Sequence, residues 1–395
     1  MSFSCTNVRS IKDKAAFSME ANFDDTSKDS LIDFEDTSVL RFSSIYGSNG
    51  SGKTSFLDAI SLLQNLILSN KFVQPGMMLA RNPHKLALNE PTEYEINFVK
   101  NGVKYCYDLE YDNLKIISEK LYFWPNGRIS KIFDRTEQDV SFGTDYLKLA
   151  PLCKEKLFPN KLLLSLAANE TQTPEIHAVF NFFAKDLVIY GGNNSNWLNY
   201  STDAIENRPE NKQKVLKFMN DIGINIVDII AHIEKIPINP ASIPREIPEQ
   251  IRSMMLADMS IVPHIKLVYK DFSLDITEES VGTQKLLNFI CPLIDIFENG
   301  KIFVCDEIEK HLHPIIVRHL VELFIKNKKS DAQIIVTTHD IDLLDLDLLR
   351  RDQIWFTSIN PEVMKTDLYS LSSLKNVRKD ENIKKNYLKG KYNLY

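Results

Sequence analysis

Residues 47–54 read Gly-Ser-Asn-Gly-Ser-Gly-Lys-Thr, the spacing G-x-x-x-x-G-K-[ST] of a loop that wraps the phosphates of a nucleoside triphosphate. Its glycines let successive backbone N–H groups turn inward on phosphate oxygens, so that Asn49, Gly50, Ser51 and Gly52 form a cradle. Lys53 reaches the β- and γ-phosphates as a point charge, and the Thr54 hydroxyl can ligate Mg²⁺. A glycine-rich surface turn is the plain alternative, and the context opposes it. A β-rich stretch over 39–46 precedes the loop, and Phe56, Ile60, Leu63 and Ile67 recur at helical spacing after it, giving strand, loop and helix.

Hydrolysis needs acidic groups as well, and the apolar run 301–305 ends in Asp306-Glu307. At the carboxyl end of a parallel strand, where such sheets bind ligands, this pair looks like a Walker B site. Asp306 would hold Mg²⁺, directly or through water, and Glu307 would orient or deprotonate the water that attacks the γ-phosphate. A solvated pair capping the next helix is the alternative. The following strand ends in Thr337-Thr338-His339-Asp340, where His339 can donate a hydrogen bond to a γ-phosphate oxygen and so sense the triphosphate; otherwise it is an ordinary loop histidine. His311 and His313 stand i, i+2 without a cysteine or third ligand at metal-site spacing. Pro314 at a helix start accounts for that segment without a metal.

One more segment bears on the class. Glu279-Ser280-Val281-Gly282-Thr283-Gln284 puts Ser-x-Gly-Thr at a helix start, between the phosphate loop and the acidic pair. It resembles the signature of ABC- and SMC-like ATPases, in which the serine and glycine N–H groups contact the γ-phosphate held by another subunit, a helix N-terminus used as an anion site. That resemblance implies that Ser280 and Gly282 complete a neighbour's pocket and that catalysis requires a dimer. A serine cap is the simpler reading of the same residues.

The elements that must position these groups follow from the pattern. A strand pair over 3–19 opens the chain, and alternating residues over 94–99, 103–109, 116–123 and 129–133, with turns at 100–102 and 126–127, predict an antiparallel meander. Helical stretches are expected over 161–168, 174–184, 211–222 and 249–257, around a loop with Pro237, Pro240, Pro244 and Pro248. A hairpin over 265–276, a helix over 284–297, and a strand, helix and strand over 301–336 return the chain to a parallel sheet. The expected fold is α/β: a P-loop ATPase core of ABC/SMC-like type with an antiparallel β subdomain and an inserted helical lobe. Its expected segments are an N-terminal lobe over 1–150, the inserted lobe over 151–260 and a C-terminal lobe over 261–395.

Composition sets the boundaries of this reading. The 395 residues are 44% hydrophobic and 25% charged, enough for a real core in two or three lobes. A net charge of −6 supplies no global attraction for nucleic acid or anionic lipid. Cys5, Cys106, Cys153, Cys291 and Cys305 are odd in number and lack C-x-x-C spacing, against a disulfide framework or a zinc site and in keeping with a reducing cytoplasm. Neither a signal peptide nor a membrane span is read.

Taken together, the chain resembles the AAA-family, ABC-like ATPases of bacterial abortive-infection systems, the group that includes AbiLi and RloA and is related to the ATPases of OLD and retron-Septu defence proteins. The resemblance rests on Asn7-Val8-Arg9-Ser10-Ile11-Lys12 and on residues 45–55, which add Arg9 and Ser55 to the nucleotide-contacting set. It rests further on Asp306-Glu307 with Leu312-His313-Pro314, on Thr338-His339-Asp340, on Arg350-Arg351-Asp352-Gln353, and on a tail with Tyr387-Leu388-Lys389-Gly390-Lys391-Tyr392. Val8 stands where the family usually has an aromatic residue. The resemblance implies ATP and Mg²⁺ as cofactors, and a homodimer or higher oligomer with composite ATP sites. It also implies a separate toxic effector, often a nuclease, released during phage infection, with DNA or a phage product as a possible trigger.

Two other classes compete with a defence switch. A DNA-repair-type ATPase of SMC or RecF kind would act directly on DNA, and a binding module would hold nucleotide without turnover. Long heptad arms are absent, against the SMC kind. For DNA the candidate patch is Lys375, Arg378, Lys379, Lys384, Lys385, Lys389 and Lys391, with a solvated face compensated by Asp380 and Glu381 the favoured reading.

Overall fold

The computed structural model describes residues 1–22, 31–34, 37–190, 197–239, 259–310, 312–326, 330–375, 377–378 and 381–395. Pro240, Pro244 and Pro248, the helix expected over 249–257, His311, Lys379 and Asp380 lie outside the described residues.

The strands and helices run β1 (Ser2–Thr6), β2 (Ala15–Ser18), β3 (Leu31–Phe34), β4 (Thr37–Leu40), β5 (Phe42–Tyr46), α1 (Lys53–Ser69), β6 (Thr92–Lys100), β7 (Val103–Tyr111), β8 (Ile116–Trp124), β9 (Ser130–Thr136) and β10 (Asp139–Phe142). There follow α2 (Ala150–Lys156), α3 (Leu163–Glu170), α4 (Pro174–Asn181), β11 (Leu187–Tyr190), α5 (Leu198–Asn207), α6 (Pro209–Asp221), β12 (Asp228–Pro237), β13 (Met259–Val268) and β14 (Ser273–Asp275). The last are α7 (Val281–Glu298), β15 (Ile302–Cys305), α8 (Pro314–Lys326), β16 (Gln333–Thr337), β17 (Ile354–Asn360), β18 (Lys365–Ser370) and α9 (Ile383–Leu388). They form two compact units, one of residues 1–191, 300–309 and 318–395, the other of 192–299 and 310–317.

The first unit is built on a six-stranded sheet of order β11-β15-β16-β5-β17-β18, parallel except for the last pair. Every residue of β5, β15 and β16 is buried, which is why β15 and the Ile334-Ile335-Val336 centre of β16 read as apolar runs: a parallel sheet is covered on both faces. Because these strands are parallel and in register, with Cys305 beside Val336 and Thr337 beside Ile45, their carboxyl ends share one edge. The phosphate loop, the acidic pair and the histidine loop all leave from that edge. Helix α1 then buries Phe56, Ile60, Leu63 and Ile67, the face the spacing predicts.

A second, antiparallel sheet of order β10-β9-β8-β7-β6-β1-β2 joins the expected strand pair to the expected meander. Asn101 and Gly102 both hold positive φ, 54° and 76°, the geometry of the tight turn that matches strand twist. Phe3 and Phe17 bring this sheet onto Phe56 of α1, with ring centroids 5.6 and 5.7 Å apart. Fully buried Glu119 on β8 accepts hydrogen bonds from the Leu163 and Leu164 N–H groups at 2.7 and 2.8 Å, and ion-pairs with fully buried Arg135 at 3.3 Å. A carboxylate there satisfies the first amides of α3 and fixes that helix to the sheet.

The compact units divide the chain at points other than 150 and 260. Helices α3 and α4 and strand β11 belong to the first unit, β11 pairing with β15. A four-residue apolar strand beside helical stretches carries no period of its own, which hid β11 from the sequence. Strand β10, with no buried residue, was not anticipated either. The second unit holds α5, α6 and α7 with a three-stranded sheet of order β12-β13-β14; β12 and α5 were not expected.

Candidate nucleotide site

The phosphate loop is shaped from beneath by side chains distant in sequence. Gly52 sits at φ 101° as the cap of α1, a conformation that favours glycine, and a Cβ there would stand 2.1 Å from Thr366 Oγ1. At Gly47 a Cβ would meet Thr357 Oγ1 at 2.3 Å. The same threonines hold the loop: Ser51 Oγ lies 2.6 Å from Thr357 Oγ1, and Thr366 Oγ1 lies 3.0 Å from the Ser51 carbonyl and 2.8 Å from Ser10 Oγ. Ser10 in turn donates to Ser55 Oγ at 2.8 Å. On the outer side Asn49, Gly50 and Thr54 are exposed, and a Cβ on Gly50 would meet nothing within 4 Å. Lys53 is buried and donates to the Gly47 and Ser48 carbonyls at 2.7 and 3.3 Å.

The acidic pair meets this loop directly. Thr54 Oγ1 donates to Asp306 Oδ2 at 2.9 Å, and Thr337 Oγ1 donates to Asp306 Oδ1 at 2.5 Å. Glu307 takes a left-handed backbone, φ 47°, uncommon for a residue with a Cβ. Its N–H donates to Thr337 Oγ1 at 2.7 Å, and its carboxylate stands 3.7 Å from His339 Nε2. The His339 N–H is held by Glu309 at 2.6 Å. A hydroxyl and a carboxylate side by side are the hard oxygen donors that suit Mg²⁺, and the open, glycine-lined loop with its buried lysine fits a polyphosphate. These residues would hold the magnesium nucleotide.

Within one unit the structure brings together Asn49, Gly50, Ser51, Gly52, Lys53, Thr54, Ser55, Asp306, Glu307 and His339. Arg9, φ 51°, ion-pairs with Asp58, one turn beyond Thr54 on α1. Ser280 and Gly282 belong to the other unit. Ser280 caps α7, its Oγ accepting from the Thr283 N–H at 3.1 Å, and Gly282 is exposed with room for a side chain. His313 Nδ1 accepts from the Ile315 N–H at 3.3 Å, as a helix-start residue does. Among the described residues one group, Glu95, Cys106 and Asp108, could gather around a metal, and Lys14 ion-pairs with its Glu95 at 2.9 Å.

Residues that the sequence did not single out complete the site. Thr337 opens the segment Thr337-Thr338-His339-Asp340, two positions before the histidine, but the sequence assigned it no role. Thr357, Thr366 and Glu309 had no signal, and Ser10 stood in the Asn7–Lys12 segment without an assigned role. The tail, read as a solvated charged face, also packs by its aromatic residues, and burial is the main cause that raises the Tyr387 hydroxyl pKa. Phe356 stacks on Tyr387 and on Tyr392 at 5.7 and 5.3 Å. The tail's Lys384 and Lys391 pair with Asp342 and Glu381.

No curated protein matches the chain. Solved structures similar to it include an Smc head bound to the C-winged helix domain of ScpA, with 16% identity, 93% of this chain and 96% of that one covered, and a TM-score of 0.40. The SMC head domain from Thermotoga maritima has 12% identity, covers 93% and 97%, and scores 0.39. An Smc head with an extended coiled coil bound to the C-terminal domain of ScpA, derived from Pyrococcus furiosus, has 15% identity, covers 93% and 95%, and scores 0.39. The family described as "AAA domain, putative AbiEii toxin, Type IV TA system" matches residues 42–347, a span that runs from the strand before the phosphate loop past the histidine motif, and the chain belongs to that family.

Proposed function

We propose that the protein is an ATP-hydrolysing switch that controls a separate toxic effector, a nuclease, in anti-phage defence. The observation that carries the hydrolytic part is the convergence of Lys53, the Thr54–Asp306 contact at 2.9 Å and the Glu307–His339 pair at 3.7 Å on one sheet edge. In this reading Glu307 takes a proton from the attacking water while the water oxygen bonds to the γ-phosphorus and the bond to the β-γ bridging oxygen breaks. His339 donates from Nε2 to a γ-phosphate oxygen, and Lys53 neutralises charge on the leaving side. Bound Mg²⁺ supplies further neutralisation of the phosphate charge.

The defence role and the effector rest on the family resemblance. Composite sites in a homodimer are supported by the exposed start of α7, where Ser280 and Gly282 lie with Val281 at 66% exposure. Direct action on DNA draws little support from the tail, whose Lys384 and Lys391 are already paired. No helix among the described residues is long and apolar enough to cross a membrane, and we place the switch in the cytoplasm. Phosphate release by the purified protein tests the reading. Glu307→Gln should retain ATP binding and lose turnover by roughly 10²-fold or more; wild-type turnover in this variant would move the base elsewhere.

A further inference from the structure

We propose that Thr337 is a positioning residue for both acidic groups, one buried hydroxyl that sets Asp306 toward the cation site and Glu307 toward the attacking water. The inference rests on the hydrolytic reading of the site and adds to it a residue that acts through the two acidic groups.

A threonine hydroxyl has one proton to give and lone pairs to accept with, and here both capacities are used on the two residues that directly follow the neighbouring strand β15. The hydroxyl donates to Asp306 Oδ1 at 2.5 Å and accepts the Glu307 N–H at 2.7 Å. Thr337 is 0% exposed, so water cannot take over either role. Its backbone is fixed independently, at the end of β16 beside Ile45 of β5, the strand that runs into the phosphate loop. The hydroxyl therefore ties the acidic pair to the sheet edge from which the loop departs.

Two consequences follow for the carboxylates. With Oδ1 of Asp306 engaged by Thr337, the oxygen left to exchange partners is Oδ2, which faces Thr54 at 2.9 Å. For Glu307 the bond holds the left-handed backbone, φ 47°, that turns the carboxylate toward His339 Nε2 at 3.7 Å. Left-handed backbone at a non-glycine residue persists where surrounding groups determine it, and the Thr337 hydroxyl is such a group. Valine in its place would keep the shape and leave one buried donor and one buried acceptor without a partner.

The test compares Thr337→Val and Thr337→Ser with the wild-type protein in two measurements. The first is the Mg²⁺ concentration that half-saturates binding of a fluorescent ATP analogue; the second is steady-state phosphate release. Thr337→Val should raise the Mg²⁺ requirement about fivefold or more and lower kcat about tenfold or more, with KM for ATP moving less than about threefold. Thr337→Ser, which restores the hydroxyl, should recover most of both. A Val variant unchanged in Mg²⁺ requirement and in kcat would overturn the proposal. So would Val and Ser variants equally impaired with equally lowered melting temperature, since that pattern needs only packing. If the wild-type protein itself does not exceed Glu307→Gln in turnover, the hydrolytic reading fails, and the Mg²⁺ dependence of binding still decides whether Thr337 sets Asp306.

Discussion

Thr54 and Asp306, 252 positions apart in the chain, meet at 2.9 Å. One residue lies in the first turn of the helix after the phosphate loop, and the other directly follows a strand two places away in the same sheet. On the proposed hydrolytic reading this contact sets side by side the two oxygen donors that would hold Mg²⁺, so a cation would enter by exchanging one hydrogen bond rather than by reordering the loop. Lys53 stands ready in the same way, its charge resting on the Gly47 carbonyl at 2.7 Å. Lys53→Ala should weaken ATP binding about tenfold or more while leaving the melting temperature of the nucleotide-free protein within a few degrees; titration with a fluorescent ATP analogue measures this, and an unchanged affinity would remove the phosphate-loop assignment.

Tyr387 should matter to the same loop through its hydroxyl. That hydroxyl faces the Gly47 N–H, which lowers a pKa that burial raises, while its ring packs on Phe356 at 5.7 Å and on Tyr46 at 5.8 Å. Tyr387→Phe keeps the ring contacts and removes the hydroxyl, so ATP affinity is expected to fall about three- to tenfold, within the worth of one hydrogen bond, with little change in thermal stability. Equal affinity in Tyr387→Phe and wild type would make the tail a packing element only.

Stability should depend heavily on Arg135. It is fully buried against Glu119 and donates to the carbonyls of Lys161, Phe158 and Glu137 at 2.5, 3.3 and 2.6 Å. Arg135→Met leaves the Glu119 carboxylate buried with only its neutral donors, which should cost about 3 kcal/mol, read as a lower urea midpoint. Adding Glu119→Leu should not double the loss, because the stranded charge is then gone; strictly additive effects would show that the two side chains act separately.

The composite-site reading is open to a mixing experiment. Gly282→Asp would place a carboxylate where a neighbour's γ-phosphate binds, and like charges repel in a partly dried interface. Alone, this variant should bind ATP and neither associate nor hydrolyse it. Mixed with Lys53→Ala protein, it can form dimers with one site carrying both lesions and one carrying neither, so part of the activity should return. Proven mixed dimers without any recovery would argue that each subunit works alone or that both sites must fire together.

The chemistry was more legible in the sequence than its support. Residues 47–54 and Asp306-Glu307 follow patterns whose order along the chain is itself informative, and β15 and the Ile334-Ile335-Val336 centre of β16 announce themselves because a doubly covered strand is mostly apolar. Nothing local marks Thr357, Thr366 or Thr337. Each is a buried threonine in a strand, the commonest disguise for a β-branched packing residue, and its role comes from what the fold sets beside it. The tail was legible only in part: its solvated, paired lysines dominate the sequence, whereas Tyr387 and Tyr392 dominate the packing around Phe356.

Strand β5 carries the phosphate loop and lies in the sheet between β16 and β17, which begin at Gln333 and Ile354. As the chain leaves the ribosome, the nucleotide-binding strand is therefore made early and stays without either of its neighbours until nearly 290 further residues have been synthesised, counting from Tyr46 to Gln333. Pairing at such separation is slow to form, and during the delay a strand whose five residues are all buried in the finished protein is an edge open to aggregation. Nascent chains cut short before β17 would lack a finished phosphate loop, so nucleotide cannot template their folding. On the proposed reading, a nucleotide site that closes only when β17 is in place would keep a half-made switch from firing.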